Sequence, residues 1–426
     1  MQAVCLEKLS KEEKSALLGE LNREYDTFRS AGLKLDMSRG KPCAQQLALS
    51  NELLAGLSEA DFALPGGLDA RNYGMLSGIP QMKQIFSELL DTPPENILVG
   101  GNSSLNLMYD FVSRSYTHGP RAGMAPWKDA PVKWLCPSPG YDRHFAVTEH
   151  FGFSLIPVPM LDDGPDMEMV ERLAAEDPSV KGIWCVPVYS NPTGTIYSER
   201  TVRRLASMPC AAEDFTIMWD NAYALHSLNG EYVRLPNIME LCAEAGYPER
   251  AVMFASTSKI TFAGGGVGCM ACGPQTLKAA LAALSVQTIG FDKVNQLLHA
   301  RFLKSRENIL LHMAKHAEII RPKFETVLSI LSAELGGWGL AVWSKPLGGY
   351  FINFVGPKNT AKRIVELCAQ AGVKLTPAGA AFPYGIDPDD SNIRIAPTYP
   401  SLGELETATK LLALSTKIAA LERALL

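Results

Sequence analysis

The chain has 426 residues, 47% hydrophobic and 20% charged, which is ordinary for a globular protein but long for a single core, so two domains are expected. A net charge of −5 and a pI near 5.9 argue against a nucleic-acid binder. No apolar run reaches the roughly 18 residues of a spanning helix, and Met1-Gln-Ala-Val-Cys-Leu-Glu-Lys8 turns charged too early for a secretory signal, so a cytoplasmic protein with no membrane partner is expected.

Ser10-Lys-Glu-Glu13 has the form of a capping box, and helical periodicity follows to about Arg29. Leu33 to Met37 leads into Ser38-Arg-Gly-Lys-Pro42, a Gly-x-Pro turn that leaves backbone N–H groups free in a fixed geometry. Residues 43–70 read as a helix and a loop. The loop Asn72-Tyr-Gly-Met-Leu-Ser-Gly-Ile-Pro80 comes next, and a helical run starts at Gln81.

From residue 96 a β/α alternation sets in. Strand-like runs are Ile97–Val99, Val132–Cys136, Ser154–Val158, Gly182–Pro187, Thr216–Trp219, Ala251–Ala255 and Val267–Ala271. This pattern predicts an α/β fold with a mainly parallel, seven-stranded, helix-covered sheet. Ligands of such sheets sit outside the carboxyl ends of the strands, and every chemical motif of the chain falls there. Gly100-Gly-Asn-Ser-Ser104 opens a helix at Leu105, giving glycines, hydroxyls and a helix N-terminus suited to phosphate. Pro137-Ser-Pro-Gly-Tyr141 and Ser190-Asn-Pro-Thr-Gly194 are turns after two further strands. Asp220 ends the strand before Tyr223, and a carboxylate buried there is costly unless paired. Ser256-Thr-Ser-Lys259 sets one lysine between two buried strands, where desolvation would lower its pKa and free its amine for nucleophilic or Schiff-base chemistry. Gly264–Gly268 after it has neither a Walker pattern nor dinucleotide spacing. The chain carries nine scattered cysteines. Cys269 and Cys272 fall three apart in a predicted strand, point to opposite faces and have no companion pair, so packing rather than a metal site is expected.

Beyond residue 275 the pattern changes to helices, Pro274 to about Ser285 and Val294 to Leu335 with breaks. Two short strand-like runs, Gly339–Trp343 and Tyr350–Phe354, flank Pro346-Leu-Gly-Gly349. A helix near 360–371, the runs Val373–Leu375 and Asn392–Ile395, and a helix from about Leu402 complete an α+β unit. Residues 1–70 are expected to join this smaller domain (291–426), leaving 71–290 as the large domain. Arg394 faces opposite Ile393 and Ile395; an isolated strand arginine usually sits at a solvated edge.

Asn-Pro-Thr-Gly194, Asp220-Asn-Ala-Tyr223, Ser-Thr-Ser-Lys259 and Asn392-Ile-Arg-Ile-Ala396 together resemble, in order and spacing, the fold-type I pyridoxal-phosphate aminotransferases of class I, over nearly the whole chain. The flanking details are most similar to the atypical bacterial aspartate aminotransferase subgroup Ic. The resemblance implies pyridoxal 5'-phosphate as cofactor, held by Lys259 as a Schiff base, with Lys259 then moving the proton between substrate α-carbon and cofactor. It implies Asp220 on the ring nitrogen, Asn191 and Tyr223 on the phenolic oxygen, and Tyr141 flat against the ring. The phosphate falls to Asn102, Ser103, Ser104, Ser256 and Ser258, and to Tyr73 reaching across a homodimer interface from the Tyr73-x4-Gly78 segment. Arg394 is implied to grip the substrate α-carboxylate with a bidentate fork, beside Asn191 and the backbone of Gly40. Many relatives carry a phosphate-binding arginine seven or eight residues after the lysine, where this chain has Gly266 and Val267.

The expected reaction is transamination between an acidic amino acid, aspartate, and 2-oxoglutarate, with Arg39 and Lys41 beside Gly40 as candidates for the second carboxylate. Other amino acids as donor, and a lyase, racemase or decarboxylase on the same fold, stay open because fold does not fix reaction type. A regulator that fuses this fold to a DNA-binding domain is disfavoured by the acidic pI. A catalytically silent scaffold is disfavoured by the intact Asn191, Asp220 and Lys259.

Overall fold

The computed structural model describes residues 6–426, so the opening residues of the expected non-secretory start lie outside the described part. Ser10 does cap the first helix: its Oγ accepts from Glu13 N at 3.1 Å and Glu13 Oε2 accepts from Ser10 N at 2.7 Å, starting the helix Lys11–Ser30. Residues 43–70 are less helical than expected. The helix covers only Ala44–Ala48, and a two-residue hairpin pairs Ala63–Leu64 with Leu68–Asp69. Between those strands Gly66 and Gly67 take φ of 80° and 73°, a left-handed turn that other residues adopt only with strain.

All seven expected strands are present, and Gly164–Pro165 adds an eighth at the edge. Across the sheet the order is Ile97–Val99, Gly268–Cys272, Ala251–Ser256, Thr216–Asp220, Val180–Cys185, Lys133–Ser138, Ser154–Leu161, Gly164–Pro165. Gly268–Cys272 and the edge strand run antiparallel to their neighbours; the other pairings are parallel. Strand residues alternate between two cores. Ile217, Trp219, Met253 and Cys269 face one, and Met218, Val252, Phe254 and Cys272 face the other. Each large side chain buried in this way contributes about 1.5–3 kcal/mol. The two cysteines thus point to opposite faces, and no group of metal-ligating side chains occurs among the described residues.

A third core ties the chain ends together. Leu21 and Tyr25 of the first helix pack with Leu411, Leu412 and Ile418 of the last, Leu402–Leu425, and Tyr25 Oη donates to Leu367 O at 2.8 Å. Leu35–Asp36 adds a parallel strand to Val373–Lys374. Ile352–Val355 pairs antiparallel with Asn392–Ile395, which sets Arg394 opposite Asn353. Among the described residues, no helix is long and apolar enough to cross a membrane.

Candidate active site

Lys259 follows the strand Ala251–Ser256 in a turn held by Thr257, whose carbonyl accepts from Thr261 N at 2.8 Å and whose Oγ1 accepts from Val267 N at 2.9 Å. The glycine run is thereby folded back beneath the lysine. Lys259 is half-buried by area, yet its amine lies under enough protein that desolvation pushes its pKa down, partly opposed by Asp220. Its Nζ lies 5.0 Å from the centre of the Tyr223 ring.

Two cavities meet at this lysine and share Tyr141 and Tyr223 as walls. The inner one, about 140 Å³, is lined by Ser103, Ser104, Asn191, Asp220 and Ser258. Asp220 is buried; its Oδ2 accepts from His144 Nε2 at 3.0 Å, while Oδ1 has no partner among the described residues. His144 is itself fixed by stacking on Trp184, with ring centres 4.4 Å apart. Asn191 Oδ1 accepts from Arg394 Nη1 at 3.3 Å, and its Nδ2 is buried without a partner among the described residues. Burial pushes the Tyr223 phenol well up and that of Tyr141 to about 12, so both stay protonated as donors.

The outer cavity, about 590 Å³, is lined by Gly40, Arg39, Lys41, Asp142, Arg143, Lys374 and Arg394. A methyl group on Gly40 would collide with the Phe351 ring, so only glycine brings the backbone this close. Arg394 is buried and not at a solvated edge, as a strand arginine read alone would suggest: Asp142 Oδ1 accepts from its Nη1 at 2.7 Å. Arg39 and Lys41 are exposed, and Lys41 Nζ sits 3.7 Å over the Tyr399 ring.

Ser256 and Asn102 lie one step back from the inner cavity. Ser256 Oγ accepts from Ser258 N at 3.1 Å and donates to Asn102 O at 3.4 Å. Asn102 lines a neighbouring cleft with Gly264, Gly265, Gly266 and Asn295. Gly266 cannot carry a side chain, since a Cβ would lie 2.8 Å from Ser258 Cα and 2.9 Å from Asn102 O. No arginine lines the inner cavity or this cleft, and Lys259 is the only lysine, among the described residues. Tyr73 is 77% exposed and lines neither cavity nor this cleft, so the single chain does not bring it to Lys259.

Four residues escaped the sequence. Arg143 and Lys374 carry no motif. His144 stands three residues after Tyr141 and His226 three after Tyr223, a spacing that suggests one turn but names no partner. His226 Nε2 lies 3.3 Å from the Lys259 carbonyl, and desolvation, then the Lys259 charge, push its pKa down to about 3.

The aspartate amino-transferase family model matches residues 9–425. An aspartate aminotransferase of Corynebacterium glutamicum is 45% identical over 423 residues, spanning 99% of this chain and 98% of its own. The crystal structure of an aspartate transaminase from that species superposes with a TM-score of 0.95 at 44% identity, covering 99% of this chain and 100% of its own. A more distant neighbour is an α-aminoadipate aminotransferase from Thermus thermophilus, complexed with N-(5'-phosphopyridoxyl)-L-leucine; it has a TM-score of 0.74 at 20% identity over 95% of each chain and shares the fold.

Proposed function

This chain belongs to the aspartate amino-transferase family and is an aminotransferase, and we propose that it transfers the amino group of aspartate to 2-oxoglutarate using pyridoxal 5'-phosphate. One observation carries the cofactor: Asp220 and Asn191 line a single cavity with Lys259, and the buried carboxylate oxygen Asp220 Oδ1 and the buried amide donor Asn191 Nδ2 both lack partners among the described residues. An acceptor suits a protonated ring nitrogen and a donor suits an ionised phenolic oxygen, so the unmet hydrogen-bonding capacity fits a pyridinium phenolate.

In this reading Lys259 holds the cofactor covalently, Tyr223 joins Asn191 at the phenolic oxygen, and Tyr141 lies against the ring. Asn102, Ser103, Ser104, Ser256, Ser258 and the N-terminus of helix Ser104–His118 take the phosphate, with the partner subunit's Tyr73. When bound, pyridoxal phosphate supplies an electrophilic carbon for the substrate amine and a cationic ring that accepts electrons from the α-carbon. His144 fixes Asp220 through Oδ2 and leaves Oδ1 free, so that it would accept from the protonated ring nitrogen. Once displaced by the substrate amine, Lys259 Nζ, kept more neutral by its lowered pKa, would take the proton from the substrate α-carbon and deliver it to the cofactor carbon that the lysine had held. Arg394 and the Gly40 backbone grip the α-carboxylate. A homodimer with shared sites has its support in an apolar surface: Tyr73, Val286 and Ile289 are 77%, 91% and 63% exposed. The division into 1–70 with 291–426, and 71–290, belongs to the same proposal.

Charge carries the substrate class. Besides Lys259, the outer cavity is lined by five cations, Arg39, Lys41, Arg143, Lys374 and Arg394, against one carboxylate, Asp142. A dicarboxylate answers that excess, and a charge-assisted contact to its second carboxylate contributes about 1.5–3 kcal/mol. The test compares kcat/KM for aspartate, alanine and leucine in wild type and in Arg143→Ala, Lys374→Ala, Arg39→Ala and Lys41→Ala. At least one variant should lose aspartate activity by roughly ten- to more than hundredfold with alanine little changed. A wild type that prefers leucine or an aromatic donor would overturn the substrate assignment.

A further inference from the structure

The single carboxylate lining the outer cavity sits on the arginine assigned to the substrate. Arg394 Nη1 donates to Asp142 Oδ1 at 2.7 Å and to Asn191 Oδ1 at 3.3 Å, and its Nε has no partner among the described residues. The two ends of the pair differ in freedom. The Arg394 side chain is 8% exposed and rooted in the strand Asn392–Ile395, whereas the Asp142 side chain is 32% exposed at the first position of helix Asp142–His150. We propose that Asp142 is an internal stand-in for the substrate α-carboxylate, holding Arg394 until an amino acid displaces it and so setting how tightly the site takes any carboxylate. This rests on the reading of Arg394 as the α-carboxylate fork.

A guanidinium buried to this degree is costly without a counter-charge, and Asp142 supplies one. An incoming carboxylate that uses both terminal nitrogens of Arg394 must take Nη1, which Asp142 holds. Two carboxylates on one guanidinium would set like charges a few ångströms apart, which is unfavourable. Of the two partners, Asp142 is the one that can leave: it already reaches water, keeps the favourable field of its own helix N-terminus, and has the exposed Arg143 beside it in the chain. Arg394 has no comparable alternative. The fraction of molecules with Asp142 seated therefore lowers apparent affinity for every substrate by the same factor, because all share the α-carboxylate. In this respect Asp142 differs from the cations of the pocket, which discriminate between substrates.

The test is Asp142→Asn in the holoenzyme, which removes the charge and keeps an acceptor. Asp142→Ser, also suited to a helix start, serves as the second variant if the first does not fold. The dissociation constant of succinate is measured by calorimetry, and KM and kcat are measured for aspartate and alanine. The dissociation constant and both KM values should fall about tenfold, the worth of one charge-assisted hydrogen bond, with kcat changing less. A rise would mean that Asp142 holds Arg394 in place for the substrate, and unchanged values would mean that it does not compete; either result overturns the proposal. If wild type neither binds succinate nor accepts aspartate, the dicarboxylate assignment fails. The alanine KM still reads Asp142, since alanine carries only the α-carboxylate.

Discussion

Replacing His226 with phenylalanine should flatten the acid dependence of stability. The imidazole is 3% exposed and lies edge-on to the rings of Tyr223 and Tyr350, at 5.7 and 5.3 Å. Lys259 is the titratable group whose charge acts on it, and His226 in turn helps to lower the pKa of His316. Its pKa is about 3 against an ordinary value of 6.5. The folded-state value is depressed, so between these limits the unfolded chain binds a proton that the folded chain refuses. The stability contributed by the neutral ring is full above 6.5 and is lost as pH falls toward 3. By about pH 5 the loss is about 2 kcal/mol relative to about pH 8. A phenyl ring keeps the edge contacts and removes both the titration and an Nδ1 that has no partner among the described residues. It gives up one long hydrogen bond to the Lys259 carbonyl, worth about 1 kcal/mol or less. Urea unfolding of His226→Phe and wild type across this range should therefore show a difference that shifts by about 2 kcal/mol in favour of the variant on acidification. A constant difference across the series would refute the reasoning.

Lys259→Ala should abolish turnover yet leave a folded protein that holds cofactor weakly, and borohydride reduction of wild type should fix the cofactor on the peptide carrying Lys259; label on another lysine would sink the mechanism. Neither Tyr73→Phe nor Lys259→Ala homodimers should reach wild-type activity, whereas mixed dimers should recover part of it, because one of their two sites keeps both native residues. No recovery in verified mixed dimers would return Tyr73 to its own subunit.

Local features were legible and long-range ones were not. The capping box at Ser10, the seven sheet strands, and the placement of Asn191, Asp220 and Lys259 after strand ends follow from short-range pattern, where side-chain period and turn chemistry suffice. The short helix Ala44–Ala48 was over-read because nothing in 43–70 signals where periodicity stops before Pro65-Gly66. Asp220 and His144 meet across 76 positions, a pairing that only the packing of helix Asp142–His150 beneath the sheet end creates. Lys374 reaches the pocket on a strand paired in parallel with Leu35–Asp36, contributed by the opposite end of the chain. The sequence has Gly266 and Val267 where many relatives carry an arginine. At Gly266 the reason is three-dimensional: the backbone there crosses Ser258 and Asn102 too closely for any Cβ.

That crossing has a consequence for charge. With position 266 closed to side chains and Val267 at the next, the phosphate end of the proposed site has no arginine among the described residues and would rely on hydroxyls and a helix N-terminus, the latter worth about 0.3–1 kcal/mol in exposed settings and up to about 2 when partly buried. The ring end is different: Asp220 is a full charge, buried and fixed by His144. In the proposed site, electrostatic grip would thus be concentrated at the ring end, and the phosphate would be left to geometry. Asn295 fits that division of labour, because its Nδ2 donates to Gly265 O at 3.0 Å and Gly266 O at 3.2 Å and so braces the glycine run. A cradle rigid in backbone and poor in cations gains most from a donor brought by a second subunit. In the proposed homodimer that donor would be Tyr73, exposed on the same loop as Gly74, whose carbonyl accepts from Lys293 Nζ at 3.1 Å.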